Sequence, residues 1–231
     1  MPQPVEITSS IFMVGSGELS GGGDCCVYAI SLGNGKFCLI DAGTSNANQV
    51  IQNIRKITQD EVEIIDLILT HAHYDHAGAT HQLKKKFPEM KIHAHELDVP
   101  AIEGERGTER ITAASWYGQT YRPVKVDVSI AKEKEKVVLG SRELLCLHTP
   151  GHTEGSISVL VEDDGKKILF GQDIHGPFLA EFKSNIQDWA NSMQKLLDLK
   201  ADILCEGHFG VYKGKDRVER FITNHLRQNG F

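Results

Sequence analysis

The stretch that decides the fold is Ile65-Asp66-Leu67-Ile68-Leu69-Thr70-His71-Ala72-His73-Tyr74-Asp75-His76. Its first half is a short apolar run of the kind that forms a buried strand. Its second half, an H-x-H-x-D-H pattern, packs four ligand-type side chains into six residues. In an extended segment alternate side chains share a side, so His71, His73 and Asp75 are expected to point the same way just past the strand end. His76 joins them if the chain turns there, and Ala77-Gly78-Ala79-Thr80 reads as such a turn into a helix. Imidazoles mixed with carboxylate suit zinc, iron or manganese better than calcium, which takes oxygen ligands throughout.

Outward from that run the same residue types recur in four further segments. Asp41 ends Phe37-Cys38-Leu39-Ile40-Asp41, and His152 lies in Thr149-Pro150-Gly151-His152-Thr153. Asp173 ends Phe170-Gly171-Gln172-Asp173, and His208 closes Glu206-Gly207-His208.

In this order the segments resemble the metallo-β-lactamase superfamily, and the match spans most of the chain. The resemblance implies an α/β fold, a four-layer αβ/βα sandwich, with a dinuclear metal site along one edge. It implies that His71, His73 and His152 hold one ion, that Asp75, His76 and His208 hold the other, and that Asp173 bridges them. Two ions ~3.5–4 Å apart need an anionic bridge to offset their repulsion. The implied cofactors are two divalent metal ions, zinc first, with iron or manganese as alternatives. Asp75 is carried over as a catalytic residue as well as a ligand. Asp41 is expected to orient a ligand histidine, as metal-bound imidazoles generally require.

The pattern elsewhere agrees with that architecture. Residues 25–31 and 36–40 read as strands joined by the turn Leu32-Gly33-Asn34-Gly35. Thr44 or Ser45 is expected to cap a helix running through Val50, Ile51, Ile54 and Ile57. A helix follows the histidine run to about Lys86, where Pro88 stops it. Residues 156–161 and 167–170 form a second hairpin, then come a helix face of Ile186, Trp189, Met193, Leu196 and Leu197, a strand at 201–205 and a last helix face of Val218, Phe221, Ile222 and Leu226. Residues 1–231 thus read as a single domain made of two similar βα halves. In each half an apolar strand ends in an aspartate, Asp41 or Asp173.

With 231 residues and a formal charge of −6, the chain suits a small-molecule substrate rather than nucleic acid. The densest basic run, Lys84-Lys85-Lys86, reads as a solvated helix end, where cations favour the helix dipole. No apolar run is long enough to span a membrane. The start of the chain lacks the charged and apolar parts of a signal peptide, which points to the cytoplasm. The five cysteines include no C-x-x-C pair and read as reduced thiols. A homo-oligomer is left open.

The expected reaction is attack of a metal-bound hydroxide on a small thioester, lactone or related ester. Within the superfamily the motifs are most similar to glyoxalase II (hydroxyacylglutathione hydrolase) and lactonases. The short tail after His208 and the segment Ile174-His175-Gly176-Pro177-Phe178 depart from glyoxalase II, so glutathione-binding residues are not carried over. The alternative is a mononuclear iron persulfide dioxygenase, which shares the fold. The irregular region 96–122, with Trp116, Tyr117 and Tyr121, is expected to shape the substrate pocket, together with His175.

Overall fold

The computed structural model describes residues 2–231. The first sheet is built from β1 (Val5–Glu6), β2 (Ile11–Gly15), β3 (Val27–Gly33), β4 (Lys36–Ile40), β5 (Glu63–Ile68), β6 (Lys91–His95) and β7 (Val128–Ile130), in that spatial order. The second contains β8 (Lys134–Leu139), β9 (Arg142–His148), β10 (Ile157–Asp163), β11 (Lys166–Gln172), β12 (Ile203–Glu206) and β13 (Val211–Lys213), ordered β13-β12-β11-β10-β9-β8. The helices are α1 (Ala47–Ile54), α2 (Tyr74–Ala77), α3 (Thr80–Lys86), α4 (Val99–Ile102), α5 (Ile186–Asp198) and α6 (Lys215–Gln228).

Alternation along the strands builds the layers. Val27, Ala29, Phe37 and Leu39 pack toward α1 and α3. Their neighbours Tyr28, Ile30, Cys38 and Ile40 face the other sheet and meet Cys146, Val159, Ile168 and Phe170. On the far side Leu169 and Leu204 pack against Trp189, Met193, Val218 and Phe221 of α5 and α6. Strands buried on both faces carry near-continuous apolar sequence, which is why β5 and β12 show no polar face. The result is the helix–sheet–sheet–helix sandwich expected from the sequence.

Each half repeats one unit. Hairpin β3–β4 is followed by α1 and then by β5, which pairs parallel with β4. Hairpin β10–β11 is followed by α5 and then by β12, parallel to β11. The C-terminal ends of these parallel pairs lie at one edge of the sandwich, where loops are free to carry chemistry.

Three local expectations are corrected. The helix expected through Ile57 stops at Ile54, and its N-cap is Asn46, without a side-chain cap bond. Thr44 is instead committed to Asp24, which accepts its backbone N–H at 2.8 Å and its hydroxyl. The strand expected from Cys25 begins at Val27, because Cys25 N–H donates to Asp75 O and Cys26 N–H to Gly207 O. These two residues therefore tie together two of the loops at the edge rather than pairing in the sheet. All five cysteines are buried free thiols. Among the described residues no helix is long and apolar enough to cross a membrane.

Candidate metal centre

The loop after β5 turns immediately into α2, so the first ligand run is half extended and half helical. His73 sits at the N-cap with ψ 147°, and Asp75 and His76 lie in the short helix. The extended part aims His71 and His73 into the edge cleft, and the turn brings Asp75 and His76 round beside them. From the other half come His152, from the loop between β9 and β10, Asp173 after β11, and His208 after β12.

These side chains form two overlapping sets. Ligand atoms of His71, His73, His152 and Asp173 all lie within 4.8 Å of one another, as do those of Asp75, His76, Asp173 and His208. Asp173 belongs to both. One of its oxygens is 3.1 Å from His76 Nε2, while the other is 3.2 Å from His208 Nε2 and 3.6 Å from His152 Nε2. Gly207 permits this approach, since a Cβ there would lie 2.1 Å from Asp173 Oδ1.

Hydrogen bonds behind the imidazoles set which nitrogen carries the proton. His76 Nδ1 meets Asp41 Oδ2 at 2.8 Å, and His152 Nδ1 meets the Pro177 carbonyl at 2.8 Å. Both partners are acceptors, so both Nδ1 atoms carry protons and both Nε2 atoms face the cluster. Asp41 also accepts from Thr70 N–H and Thr70 Oγ1, each at 2.8 Å. Asp41 thus contacts the His76 nitrogen opposite the one that approaches Asp173.

A cation fits this pocket on three counts. First, His71 Nε2, His73 Nε2 and Asp173 Oδ1 are buried with no hydrogen-bond partner, a costly state for polar atoms in a protein interior. Second, burial pulls His71, His73 and His152 below the usual imidazole range, which keeps them neutral as donors of a lone pair. Third, burial raises the carboxyls of Asp173 and Asp75, but His76 and His208 outweigh it and hold both below the carboxylate norm. Burial likewise lowers His208, yet Asp173 and Asp75 push it up to about 10. The second set thus favours positive charge at its centre. Nitrogen and carboxylate donors together suit a borderline divalent ion such as zinc.

The cleft has a volume of about 220 Å³, lined by His73, Asp75, Asp173, His175 and His208 and walled by Trp116, Tyr117, Pro177 and Phe182. His175 Nδ1 donates to Glu206 Oε1 at 2.7 Å, so this histidine faces the cleft on a fixed support. Burial, then the neighbouring Asp75, push the Tyr117 phenol up, and it stays protonated. Tyr121 lies elsewhere. Gly118, in the left-handed conformation at φ 63°, turns the chain after Tyr117. Tyr121 then packs on the first core cluster and lines a separate cavity of about 370 Å³ with Arg110, Ser115 and Gln119. Its expected place in the substrate cleft is therefore corrected.

Two carboxylates not singled out from the sequence support the site. Buried Glu206 accepts from His208 N–H at 2.7 Å and Phe209 N–H at 2.8 Å, besides holding His175. Buried Asp98 accepts from Ala72 N–H at 2.8 Å, Thr153 Oγ1 at 2.9 Å and Gly155 N–H at 3.0 Å. It joins the first ligand run to the His152 loop. Glu206 stood in a quoted motif, so its proximity to His208 was a usable signal. For Asp98 the local sequence carries none.

Fold and side-chain cluster define an αβ/βα sandwich with a candidate metal centre at its edge. The chain belongs to the metallo-β-lactamase superfamily, whose family model matches residues 20–208. It is similar to acyl-coenzyme A thioesterase MBLAC2 of Bos taurus, 28% identical over 180 residues, with 71% of this chain and 62% of that protein covered. This chain therefore spans about six-tenths of that relative's length. It is also 28% identical over 208 residues to "Probable metallo-hydrolase YflN" of Bacillus subtilis, with 78% of each covered. A Cronobacter sakazakii metallo-β-lactamase with a HARLDQ motif superposes with a TM-score of 0.80 at 21% identity, covering 99% of this chain and 93% of that one, a likeness of fold.

Proposed function

We propose that this protein is a dinuclear metal-dependent hydrolase acting on small thioesters, with lactones and related esters as secondary substrates. The observation that carries the reading is the pair of four-residue ligand sets sharing Asp173 beneath an apolar-walled cleft. The named activity of the thioesterase relative supports thioesters over other acyl compounds.

Two divalent ions, zinc by donor chemistry, would be held by His71, His73 and His152 on one side and Asp75, His76 and His208 on the other, with Asp173 between. Bound there, they would supply water activation near neutral pH and polarisation of the acyl carbonyl. The chain's own groups do the rest. Trp116, Tyr117 and Phe182 cover the acyl group and exclude bulk water, which strengthens every charge interaction beneath them. Asp75, which His76 and His208 hold ionised against its burial, would accept the proton of the attacking water. Burial lowers the pKa of His175 but Glu206, which takes its Nδ1–H, outweighs it, so His175 as an imidazolium can donate its Nε2–H to the departing thiolate. Hydrolysis of the thioester then yields a carboxylic acid and a thiol.

Metal analysis of purified protein, combined with a panel of acyl thioesters, lactones and phosphodiesters, tests this. The expected result is two zinc per chain, thioester cleavage above lactone cleavage, and negligible phosphodiesterase activity. One iron per chain, with oxygen uptake on a persulfide and no ester hydrolysis, would sink the reading.

A further inference from the structure

The C-terminal turn of α3 and the chain after the cleft wall meet at an open groove of about 640 Å³. Lys85, Lys86, Arg122 and His81 line it, with Asn48 and Gln82 as neutral neighbours, and no carboxylate does. In a chain with 31 acidic residues against 25 lysines and arginines, that composition needs a cause. Lys84, one residue earlier, pairs with Asp127 at 3.1 Å. Among the described residues Lys85, Lys86 and Arg122 have no ion pair, and Arg122 Nη1 lies 3.4 Å from His81 Nε2. The helix dipole accounts for the lysines at the end of α3. It does not account for Arg122, which arrives from a separate segment and adds to the repulsion.

We infer that this groove binds phosphate groups, and that they belong to the carrier of the acyl group. The second clause rests on the thioesterase reading above. Two segments of chain link the groove to the metal cleft. α2, with Asp75 and His76, leads directly into α3, and Tyr74 of α2 packs on Tyr117 with ring centroids 5.5 Å apart. Arg122 follows Tyr117 by five residues, a span of at most ~18 Å in extended chain. An acyl thioester seated in the cleft would therefore direct an extended arm past Tyr117, which lines the cleft, toward the groove. A carrier of coenzyme A type, a phosphorylated nucleoside on a flexible thiol arm, has that chemistry. Guanidinium and ammonium groups at the groove match its phosphates.

Adenosine 3′,5′-bisphosphate, titrated into the 231-residue protein by calorimetry, is the direct probe. Wild type should bind it, more weakly as salt rises from about 50 to about 200 mM. The double variant Lys86→Ala/Arg122→Ala should bind at least about tenfold more weakly. Lys132→Ala, which removes an exposed charge outside the groove, should bind as wild type does. No binding by wild type, or equal binding by the double variant, overturns the groove whether or not the protein cleaves thioesters.

The carrier is tested by kinetics. The double variant should raise KM about tenfold for an acyl-coenzyme A. Its KM should be unchanged for the same acyl group on N-acetylcysteamine, which has no phosphate. Equal changes on both substrates, or none on either, would show that the phosphates bound are not those of the carrier. If neither thioester is cleaved, the hydrolase reading fails, and the calorimetry still decides the groove.

Discussion

Asp41 follows the outgoing strand of the hairpin β3–β4, and Asp173 follows that of β10–β11. Each precedes a helix and a parallel strand, and each lies at a left-handed turn, with φ 63° at Asp41 itself and 51° at Gln172 just before Asp173. Their surroundings differ. Asp41 spends its oxygens on Thr70 and the back of His76. Asp173 presents a partnerless buried oxygen to the cluster and crowds against His71, His76, His152 and His208. One topological position thus yields a brace in the first half and a shared anionic centre in the second. The difference follows from what the next parallel strand delivers: β5 leads to four ligand-type residues at once, β12 to a single histidine behind a glycine.

The harshest way to break this contrast is Asp173→Ala. Both ligand sets lose their common member, so activity should fall by at least about a thousandfold, the equivalent of ~4 kcal/mol of transition-state stabilisation. Metal content measured by mass spectrometry should fall with it. Wild-type turnover with two retained ions would refute the shared position.

Gly207→Ala probes the same point from outside. Its new methyl would collide with Asp173 Oδ1 and meet His76 Cε1 at 3.2 Å. Displacing a reacting group by about 1 Å costs on the order of a hundredfold. The expected loss is in kcat, with the thermal midpoint only mildly lowered. An inert substitution would mean that the carboxylate has room to spare.

Asp41→Asn sharpens the other side of the comparison. Asparagine tolerates the left-handed backbone, so the turn should survive. Its amide can accept from Thr70 N–H while its NH₂ faces His76 Nδ1. That reverses the imidazole tautomer and takes the lone pair from Nε2. Affinity at the second ligand set should drop about 10–100-fold, and the first set should keep its ion. Metal titration should therefore show two unequal sites. Two sites of unchanged affinity would remove Asp41 from the support of His76.

What could be read in the sequence divides along the same line. The hairpins, the apolar helix faces and the clustered ligand run depend on neighbours a few residues apart, and periodicity exposes them. The paired strand-end aspartates were visible as a repeat. The Asp98 contacts, the Glu206–His175 bond and the Cys25–Cys26 tether act across 26 to 181 residues, separations that local pattern does not encode. Short edge strands such as β1, β7 and β13 have too few residues for alternation to register. Tyr117 and Tyr121 were indistinguishable until Gly118 turned them apart. Lys85 and Lys86 read as a solvated helix end, and only the fold brings Arg122 beside them.

The mildest test concerns a contact between the halves themselves. His95 of β6 stacks on His148 of β9, with ring centroids 3.9 Å apart and planes 11° from parallel. Its Nδ1 accepts from Leu97 N–H at 3.3 Å, and its Nε2 is buried without a partner. Burial and then His148 lower its pKa from 6.5 to about 4, against a smaller opposing pull from Glu133 and Glu135. A histidine neutral in the fold and protonated in the unfolded chain contributes stability that is fully present above about pH 6.5. That contribution is lost as pH falls toward about 4. Urea unfolding of wild type and His95→Phe at pH 7 and pH 5 isolates it, because the ligand histidines titrate alike in both proteins. Wild type should lose on the order of 1 kcal/mol more than the variant between those pH values, after a discount for solvent screening. Equal losses would mean that His95 exchanges its proton as freely in the fold as in the open chain, and that the stack between the halves carries no penalty for charge.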